Sequence, residues 1–207
     1  MRRVYLDHTA TTPLDPAVFE AMKPFFAGGF GNASSIHHFG REARAALDVS
    51  RDTIAGCIGA QSGEVFFVSC GTEADNFALK GVAPAMLRRG KNHIITGRSE
   101  HHAILETCGF LEQHGFVLSY LPVDGEGRTN VQDVREAIRE QTGLISIMHA
   151  NNEIGTINPV AEIALLAKEH GIIVHSDAVQ SFGKIPVNVG ELGVDMLSLS
   201  AHKIYGP

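Results

Sequence analysis

The sequence predicts an α/β fold built on a mostly parallel sheet with helices on both faces. Short segments rich in β-branched and aromatic residues alternate with longer amphipathic segments. The short segments are apolar on both sides, which is typical of strands that helices cover from both faces. The connections between them are short, so we expect right-handed crossovers in an open sheet.

Six strands are predicted from runs of apolar residues bounded by turn residues. They are Val65–Ser69, His93–Gly97, Phe116–Leu121, Leu144–His149, Ile172–Ser176 and Asp195–Ser200.

Five helices are predicted around these strands, and some have recognisable ends. Asp15 and Pro16 form an N-cap with proline at the first helical position. Gly171 ends the last helix. The predicted helices are Ala17–Phe26, Arg41–Ile58, Thr72–Leu87, Val131–Glu140 and Val160–His170.

Composition excludes several classes of function. The 207 residues suffice for one sizeable domain, and a net charge of −6 without a basic run argues against nucleic acid as the main partner. No apolar stretch approaches the roughly 20 residues of a membrane span, and the first residues lack a signal peptide's apolar region. Cys57, Cys70 and Cys108 lack the paired spacing of a disulfide framework, so a reducing cytoplasm is the expected location.

Ligands of open α/β sheets bind at the carboxyl ends of the strands, so the residues after each strand are the candidate site residues. Gly71 and Thr72 follow the first predicted strand and open a helix, where Thr72 can cap. Free N–H groups there make a phosphate cradle, although an ordinary capped turn gives the same pattern. His101 and His102 follow the second strand. They can bind a metal, line a loop or place one ring on a planar ligand, but no metal-ligand spacing accompanies them.

The later strands are followed by other polar residues. Asn151 and Asn152 either bind a ligand or form a turn. Asp177 either caps a helix or meets a cationic partner. Lys203 lies among small and aromatic neighbours, which is unusual for a lysine that is merely solvated.

Together these side chains match the needs of pyridoxal 5′-phosphate (PLP), and no metal is predicted. Lys203 supplies the amine that binds the cofactor's aldehyde. Asp177 supplies the anion that keeps the pyridine nitrogen protonated, and His101 supplies a flat partner for the ring face. Gln180 can reach the phenolic oxygen. The predicted phosphate cup consists of Gly71, Thr72, Ser200 and His202.

Seven motifs resemble the NifS/IscS class of cysteine desulfurases, which are fold-type-I PLP enzymes related to class-V aminotransferases. The resemblance extends over essentially all 207 residues. The motifs are YLDHTATTP at 5–13, GNASSIHHFG at 31–40, TEADN at 72–76, EHHAI at 100–104, IMHANNEIGT at 147–156, HSDAVQSFGK at 175–184 and SAHKIYGP at 200–207.

The resemblance implies a role for each matching residue. Lys203 is the cofactor lysine, His101 stacks on the ring and handles protons, and Asp177 is the partner of the pyridine nitrogen. Gln180 and Asn152 are contacts near the phenolic oxygen and the substrate carboxylate. The implied reaction converts L-cysteine into L-alanine and leaves the sulfur as a persulfide on an enzyme cysteine, for iron–sulfur cluster or thio-cofactor synthesis.

The resemblance also implies a domain division. Residues 1–14 are expected to be an N-terminal arm belonging to a small domain, and residues 15–207 a PLP-binding large domain truncated at its C-terminal end. The small C-terminal domain, the persulfide cysteine and the arginine for the substrate carboxylate are expected beyond residue 207, so the fragment alone is expected to be inactive. Cys57 and Cys108 are interpreted as packing residues of helices. Cys70, where the family usually has glycine, is interpreted as a small structural residue.

Other interpretations remain open. A selenocysteine lyase or another class-V aminotransferase shares the fold, and only a desulfurase needs a further loop cysteine. A non-catalytic binding protein would be expected to lack Lys203, His101 or Asp177, which are all present. A nucleotide-binding domain is disfavoured because the Gly71 turn has neither of the usual glycine-rich spacings. A homodimer and a sulfur-acceptor protein, such as an iron–sulfur scaffold, are the partners that the resemblance implies.

Overall fold

The computed structural model describes residues 3–207, and the chain divides into two compact units. One unit comprises Met1–Phe67 with Ala201–Pro207, and the other comprises Val68–Ser200. The division predicted at residues 14 and 15 stays a prediction.

The elements are α1 (Pro16–Ala27), α2 (His38–Ile58), α3 (Gly71–Arg88), β1 (His93–Gly97), α4 (His102–Glu112), β2 (Val117–Leu121), α5 (Val131–Ala137), β3 (Thr142–Ser146), α6 (Val160–Glu169), β4 (Ile173–Asp177), α7 (Val189–Leu192) and β5 (Met196–Ser198).

All five strands belong to the Val68–Ser200 unit, and all pair in parallel in the order β2-β1-β3-β4-β5. The chain runs from β1 outward to β2 and then returns to the other side of β1 as β3. The strand order therefore reverses between β1 and β3. In open α/β sheets, the crevice outside the carboxyl ends of the strands at such a switch point is where ligands bind.

Apolar side chains cover both faces of this sheet, as the two-sided hydrophobicity of the strands predicts. Leu144 of β3 belongs to one buried cluster with Leu79 of α3 and Ile104 of α4. The next residue, Ile145, belongs to a second cluster with Ile163 of α6. Successive strand residues point to opposite faces, so the single run of apolar residues in β3 serves two cores.

In the smaller unit, the residues after Ala201 are hydrogen-bonded to the segment that precedes α1. The Thr12 amide and hydroxyl both donate to the His202 carbonyl, at 2.9 and 2.8 Å. The Tyr205 amide donates to the Thr12 hydroxyl at 2.7 Å. α1 begins as predicted, with the Asp15 carboxylate accepting from the Ala17 amide at 2.7 Å and Pro16 as the first helical residue.

The strand predicted at Val65–Ser69 is wrong, since no strand is found there among the described residues. The Val65 amide donates to the Ser62 carbonyl, and the Val65 carbonyl accepts from Arg51 Nε. Local groups thus satisfy backbone atoms that a sheet would otherwise pair. Phe66 is 70% exposed, so the apolar run is not a buried strand.

The other five predicted strands are confirmed, β1 with the predicted ends and the remaining four with shifted ends. β3 begins at Thr142 rather than Leu144 and ends at Ser146 rather than His149. The predicted helices are confirmed as well, but α5 ends at Ala137 rather than Glu140 because Ile138 adopts an extended conformation. Two helices were not predicted: α4, and α7, whose four residues are too few to display a periodic pattern.

Within residues 3–207, no helix is both long enough and apolar enough to cross a lipid bilayer.

Candidate active site

Most predicted site residues of the larger unit lie at or after the carboxyl ends of strands: Asp177 ends β4, and His101, Asn152, Gln180 and Ser200 lie in the segments after β1, β3, β4 and β5. Gly71 and Thr72 instead lie where α3 begins, and among the described residues no strand directly precedes them.

The Asp177 carbonyl, at the end of β4, accepts from the His149 amide at 2.8 Å. The Ala178 amide donates to the Ser198 carbonyl at 2.9 Å, so the sheet ladder continues past the strand ends. These bonds fix the backbone from which the candidate side chains project.

Asp177 is buried at this edge, and one of its oxygens accepts from the Val179 amide at 2.8 Å. The carboxylate therefore forms the local turn and is held in a fixed orientation by it. Gln180 lies in the same turn and is also buried, and its carbonyl oxygen accepts from Lys184 Nζ at 2.8 Å. The Asp177 carboxylate can accept the Val179 N–H and still face a cation, because a carboxylate has several lone pairs.

His101 is the N-cap of α4, with Nδ1 accepting from the Ala103 amide at 3.1 Å. A nitrogen that accepts a hydrogen bond carries no proton, so the neutral ring has its proton on Nε2. The side chain is exposed. The capping bond engages Nδ1, so Nε2 is the ring nitrogen that does not take part in the cap.

The two adjacent asparagines have different positions. Asn151 is buried, donates to the Ser99 carbonyl at 2.9 Å and accepts from the amides of Glu153 and Ile154. It therefore holds the loop together. Asn152 is only half-buried, and its amide donates to the Glu153 carboxylate at 2.8 Å. Of the pair, Asn152 is the one with an accessible amide.

Gly71 lies where α3 begins, in close contact with the turn after β4. A Cβ at this position would stand 3.0 Å from Val179 Cγ2 and 3.4 Å from Ser200 Cβ. The predicted phosphate contacts Gly71 and Ser200 are therefore neighbours, beside a helix N-terminus whose first N–H groups point outward. The prediction that Thr72 caps this helix is wrong, because Cys70 occupies the N-cap position and Thr72 is already helical.

A cluster of buried titratable groups was missed by the sequence reasoning. Asp75 of α3 has Oδ1 3.7 Å from His175 Nε2, and His175 is fully buried between the hydroxyls of Ser146 and Ser198, at 2.9 Å each. Burial lowers the pKa of His175 to about 3, so the ring is neutral. Burial, together with the charge of Asp177, raises the pKa of Asp75 to about 8.

The helical pattern of α3 already held a signal for this cluster. Asp75 has the same spacing as the buried residues Leu79, Ala83 and Met86 along the helix. A carboxylate on the apolar stripe of a helix indicates a buried polar site.

Lys203 and His202 lie in the smaller unit, in the 3-10 turn Ala201–Lys203. Lys203 Nζ donates to the Ala10 carbonyl at 2.7 Å and to the Thr9 carbonyl. Burial and the neighbouring Lys203 charge lower the pKa of His202. The amine is thus held by backbone oxygens of the segment before α1.

The cysteines differ from one another. Cys108 is buried, as predicted for a packing residue, and burial raises the pKa of its thiol to about 12. The same prediction for Cys57 is wrong: the residue is exposed, because α2 buries the neighbouring Ala55 and Ile58 instead. Cys70 is exposed, and the backbone N–H of Glu73 is the main cause that lowers the pKa of its thiol.

Across the described residues, no group of three or more His, Cys, Asp or Glu is placed to hold a metal ion.

Comparison with known proteins identifies the class. The chain belongs to the class-V aminotransferase family, whose family model matches residues 4–207.

Within this class, the chain is similar to cysteine desulfurases. It is 61% identical over 206 residues to cysteine desulfurase IscS of Dictyoglomus turgidum, covering 100% of this chain and 52% of the relative. It is 51% identical to putative cysteine desulfurase IscS 1 of Bacillus subtilis, covering 100% of this chain and 54% of the relative. The chain therefore spans about half the length of the curated relatives it matches.

Solved structures agree with these relatives. A NifS-like protein aligns with a TM-score of 0.96 at 43% identity, over 100% of this chain and 57% of that one. SspA in complex with cysteine aligns with a TM-score of 0.94 at 44% identity, over 98% of this chain and 58% of that one. The predicted fold class and the resemblance to NifS/IscS proteins are confirmed.

Proposed function

We propose that the protein is a PLP-dependent cysteine desulfurase, which converts L-cysteine into L-alanine and passes the sulfur to an enzyme cysteine as a persulfide. The sulfur would serve iron–sulfur cluster or thio-cofactor synthesis. The observation that carries the proposal is the 61% identity to a cysteine desulfurase over the whole chain. It is supported by the convergence of polar groups on one edge of the sheet.

The residues present fit PLP. Gly71 leaves room that a Cβ would fill, beside Ser200 and the N-terminus of α3, which suits a phosphate group. Asp177 offers a fixed carboxylate for a protonated ring nitrogen, and His101 offers an accessible imidazole. The proposed phosphate contacts are Gly71, Thr72, Ser200 and His202, and Lys203 is the proposed covalent attachment point.

PLP supplies an electron sink when bound, which makes the α-proton of an amino acid acidic. The residues of this chain would bind the cofactor and the substrate and fix their orientation. Asp177 keeps a cationic nitrogen protonated by its charge, and Gln180 fixes the position of the ring through its side-chain amide. Asn152 supplies its amide to the substrate carboxylate.

His101 and Lys203 move protons in this proposal. Nε2 of His101 is the nitrogen that the capping bond leaves available, so it gives and takes the proton at the ligand. Lys203 would hold the cofactor through its amine, and the same amine could take up or release a proton beside a bound substrate. The thiol that receives the sulfur must be ionised to attack, and we assign it to none of Cys57, Cys70 and Cys108.

The test is covalent trapping of the cofactor. The intact protein, treated with PLP and then borohydride, should carry a pyridoxyl group on the peptide that contains Lys203, as mass spectrometry can locate. Lys203→Ala should lose this adduct and the visible absorbance of the bound cofactor, whereas Lys80→Ala, an exposed lysine on α3, should keep both. An unchanged adduct in Lys203→Ala would refute the assignment.

The substrate is tested separately. Alanine should form from L-cysteine together with a protein persulfide and without any keto-acid acceptor. A requirement for a keto acid would indicate an aminotransferase, and a reaction restricted to selenocysteine would indicate a selenocysteine lyase.

We also propose a homodimer, a cytoplasmic location and a sulfur-acceptor protein such as an iron–sulfur scaffold. The dimer is supported by apolar side chains of the smaller unit that are exposed in the single chain, including Phe26 and Ile36, the latter 91% exposed. Sedimentation of the intact protein should give twice the chain mass. A monomer at micromolar concentration would contradict the dimer.

A further inference from the structure

Two side chains link the loop after β1 to the loop after β3, at the switch point of the sheet. Glu100 Oε1 accepts from the Met148 amide at 2.8 Å, and Asn151 Nδ2 donates to the Ser99 carbonyl at 2.9 Å. The first loop leads directly to His101. The two bonds therefore fix the loop that holds the imidazole against the loop that holds Asn152.

The surroundings of Glu100 are unusually tight for a glutamate. The side chain is 6% exposed, and a Cβ at Gly97 would stand 3.2 Å from Oε1. The second oxygen, Oε2, is buried and has no hydrogen-bond partner within the part of the chain that the structure describes. Burial, with smaller contributions from the charges of Asp177 and Asp75, raises the pKa of this carboxyl well above its usual range.

A neutral acid is less costly to bury at this position than a carboxylate. Oε1 can accept the Met148 N–H without a charge, and a proton on Oε2 removes the cost of burying a carboxylate among other acids. Glutamine has the same shape and the same acceptor, and it is neutral at every pH. Alanine would leave the Met148 N–H without its partner.

His101 is consequently held from both sides. Its neighbour Glu100 is held through its side chain, which accepts from the Met148 amide, and the His101 ring itself accepts from the Ala103 amide. Loss of the first contact frees the loop on one side, so the ring is expected to shift relative to any ligand at the switch point.

We propose that Glu100 is a positioning residue that sets the orientation of His101 over the cofactor. The inference rests on the proposed function, since it assumes that His101 meets PLP. Glu100 itself does not touch the reacting atoms in this proposal.

The test is a double-mutant cycle in the intact, PLP-loaded protein. Glu100→Ala should weaken the circular dichroism of the bound cofactor and lower the rate of alanine formation about tenfold, the scale expected from a small misplacement of a catalytic group. Glu100→Gln should keep both the circular dichroism of the cofactor and the rate of alanine formation near those of the unsubstituted protein. In a His101→Ala background, Glu100→Ala should cause little further loss, because both changes remove the same contact. Glu106→Ala, an exposed glutamate of α4, is the matched control.

A second variant covers the case in which Glu100→Ala does not fold. Gly97→Ala keeps Glu100 but crowds Oε1, so it should change the cofactor's dichroism in the same direction and to a smaller extent. Its effect should also vanish in the His101→Ala background.

Three outcomes would overturn the inference. They are equal losses in Glu100→Gln and Glu100→Ala, additive losses in the His101→Ala background, and an unchanged cofactor signal in Gly97→Ala. Failure of the proposed function is distinguishable from these outcomes, since the unsubstituted protein would then give no adduct on Lys203 or would form no alanine from L-cysteine.

Discussion

His175 illustrates, at the scale of one residue, how this sheet accommodates polar groups in its interior. The ring is fully buried on β4, and both of its nitrogens are paired with hydroxyls, from Ser146 on β3 and Ser198 on β5. A neutral imidazole has one donor and one acceptor, so two hydroxyls satisfy it completely. The residue joins three strands without carrying a charge.

Replacing this ring should therefore destabilise the fold. His175→Leu leaves two buried hydroxyls without their partner and should lower the free energy of unfolding by about 2 kcal/mol. Urea unfolding measures the loss. His170→Leu, at the exposed end of α6, should change the same quantity by less than about 0.5 kcal/mol. Equal effects of the two substitutions would contradict the role of the bridging hydrogen bonds.

Single residues also show where sequence reasoning succeeds and where it fails. Asp177 and His101 are identifiable because they follow predicted strands, and the structure places both at the carboxyl edge. Asp75 shares the spacing of the buried residues of α3, but its neighbours in the interior, such as His175, depend on what the helix packs against. The roles proposed for Asp177 and His101 toward a cofactor stay predictions.

At the scale of elements, α2 shows how helix ends depend on backbone conformation. Gly59 follows the helix with φ of 70°, and its amide donates to the Ala55 carbonyl. Only glycine adopts this left-handed conformation without a steric cost. Gly56, in contrast, lies inside the helix, where an added Cβ would meet no neighbouring atom within 4 Å.

These two glycines should respond in opposite ways to the same substitution. Gly59→Ala should reduce the free energy of unfolding by about 1 kcal/mol, because alanine is strained at positive φ. Gly56→Ala should raise it by about 0.5–1 kcal/mol, because alanine is the better helix former. Thermal and urea unfolding of both variants check the signs. If Gly59→Ala instead raised the free energy of unfolding, the left-handed conformation at residue 59 would not be what requires glycine at this helix end.

The predicted strand at Val65–Ser69 shows the limit of local patterns. Its β-branched and aromatic residues are typical of a strand, but a strand also needs a partner whose backbone groups are in register. Local partners at Ser62 and Arg51 satisfy its backbone instead. β-propensity alone could not reveal this, since pairing is decided by distant segments.

At the scale of the whole molecule, the buried acids make stability depend on pH. Asp75 keeps its proton in the folded state up to about pH 8, whereas its ordinary pKa is 3.8. The folded state therefore binds more protons between these values, and the free energy of unfolding falls as pH rises through this range. His175, with its pKa lowered to about 3 from 6.5, has the opposite effect below pH 6.5.

Asp75→Asn should remove one part of this dependence. Between pH 6.5 and 8, the fall in unfolding free energy should become less steep by up to about 1.4 kcal/mol per pH unit, which corresponds to one proton. Glu100 contributes with the same sign in both proteins, and the Asp75 charge is the smallest of the causes that raise its pKa, so most of the difference comes from Asp75. Urea titrations at several pH values measure the slope, and Glu169→Gln, at an exposed position, should leave it unchanged. An unaltered slope in Asp75→Asn would mean that Asp75 is ionised in the folded protein.

The amino-acid sequence by itself determined the α/β class, the positions of five strands and the residues that follow them. Periodicity and capping are local properties, so neighbouring residues suffice to set them. Only the tertiary structure decided the strand order, with its switch point between β1 and β3, and the burial of Asp75, Glu100 and His175. Those features depend on contacts between segments far apart in the chain, such as Glu100 with Met148, and on the loss of water around charged groups, which the packing of helices on the sheet alone produces.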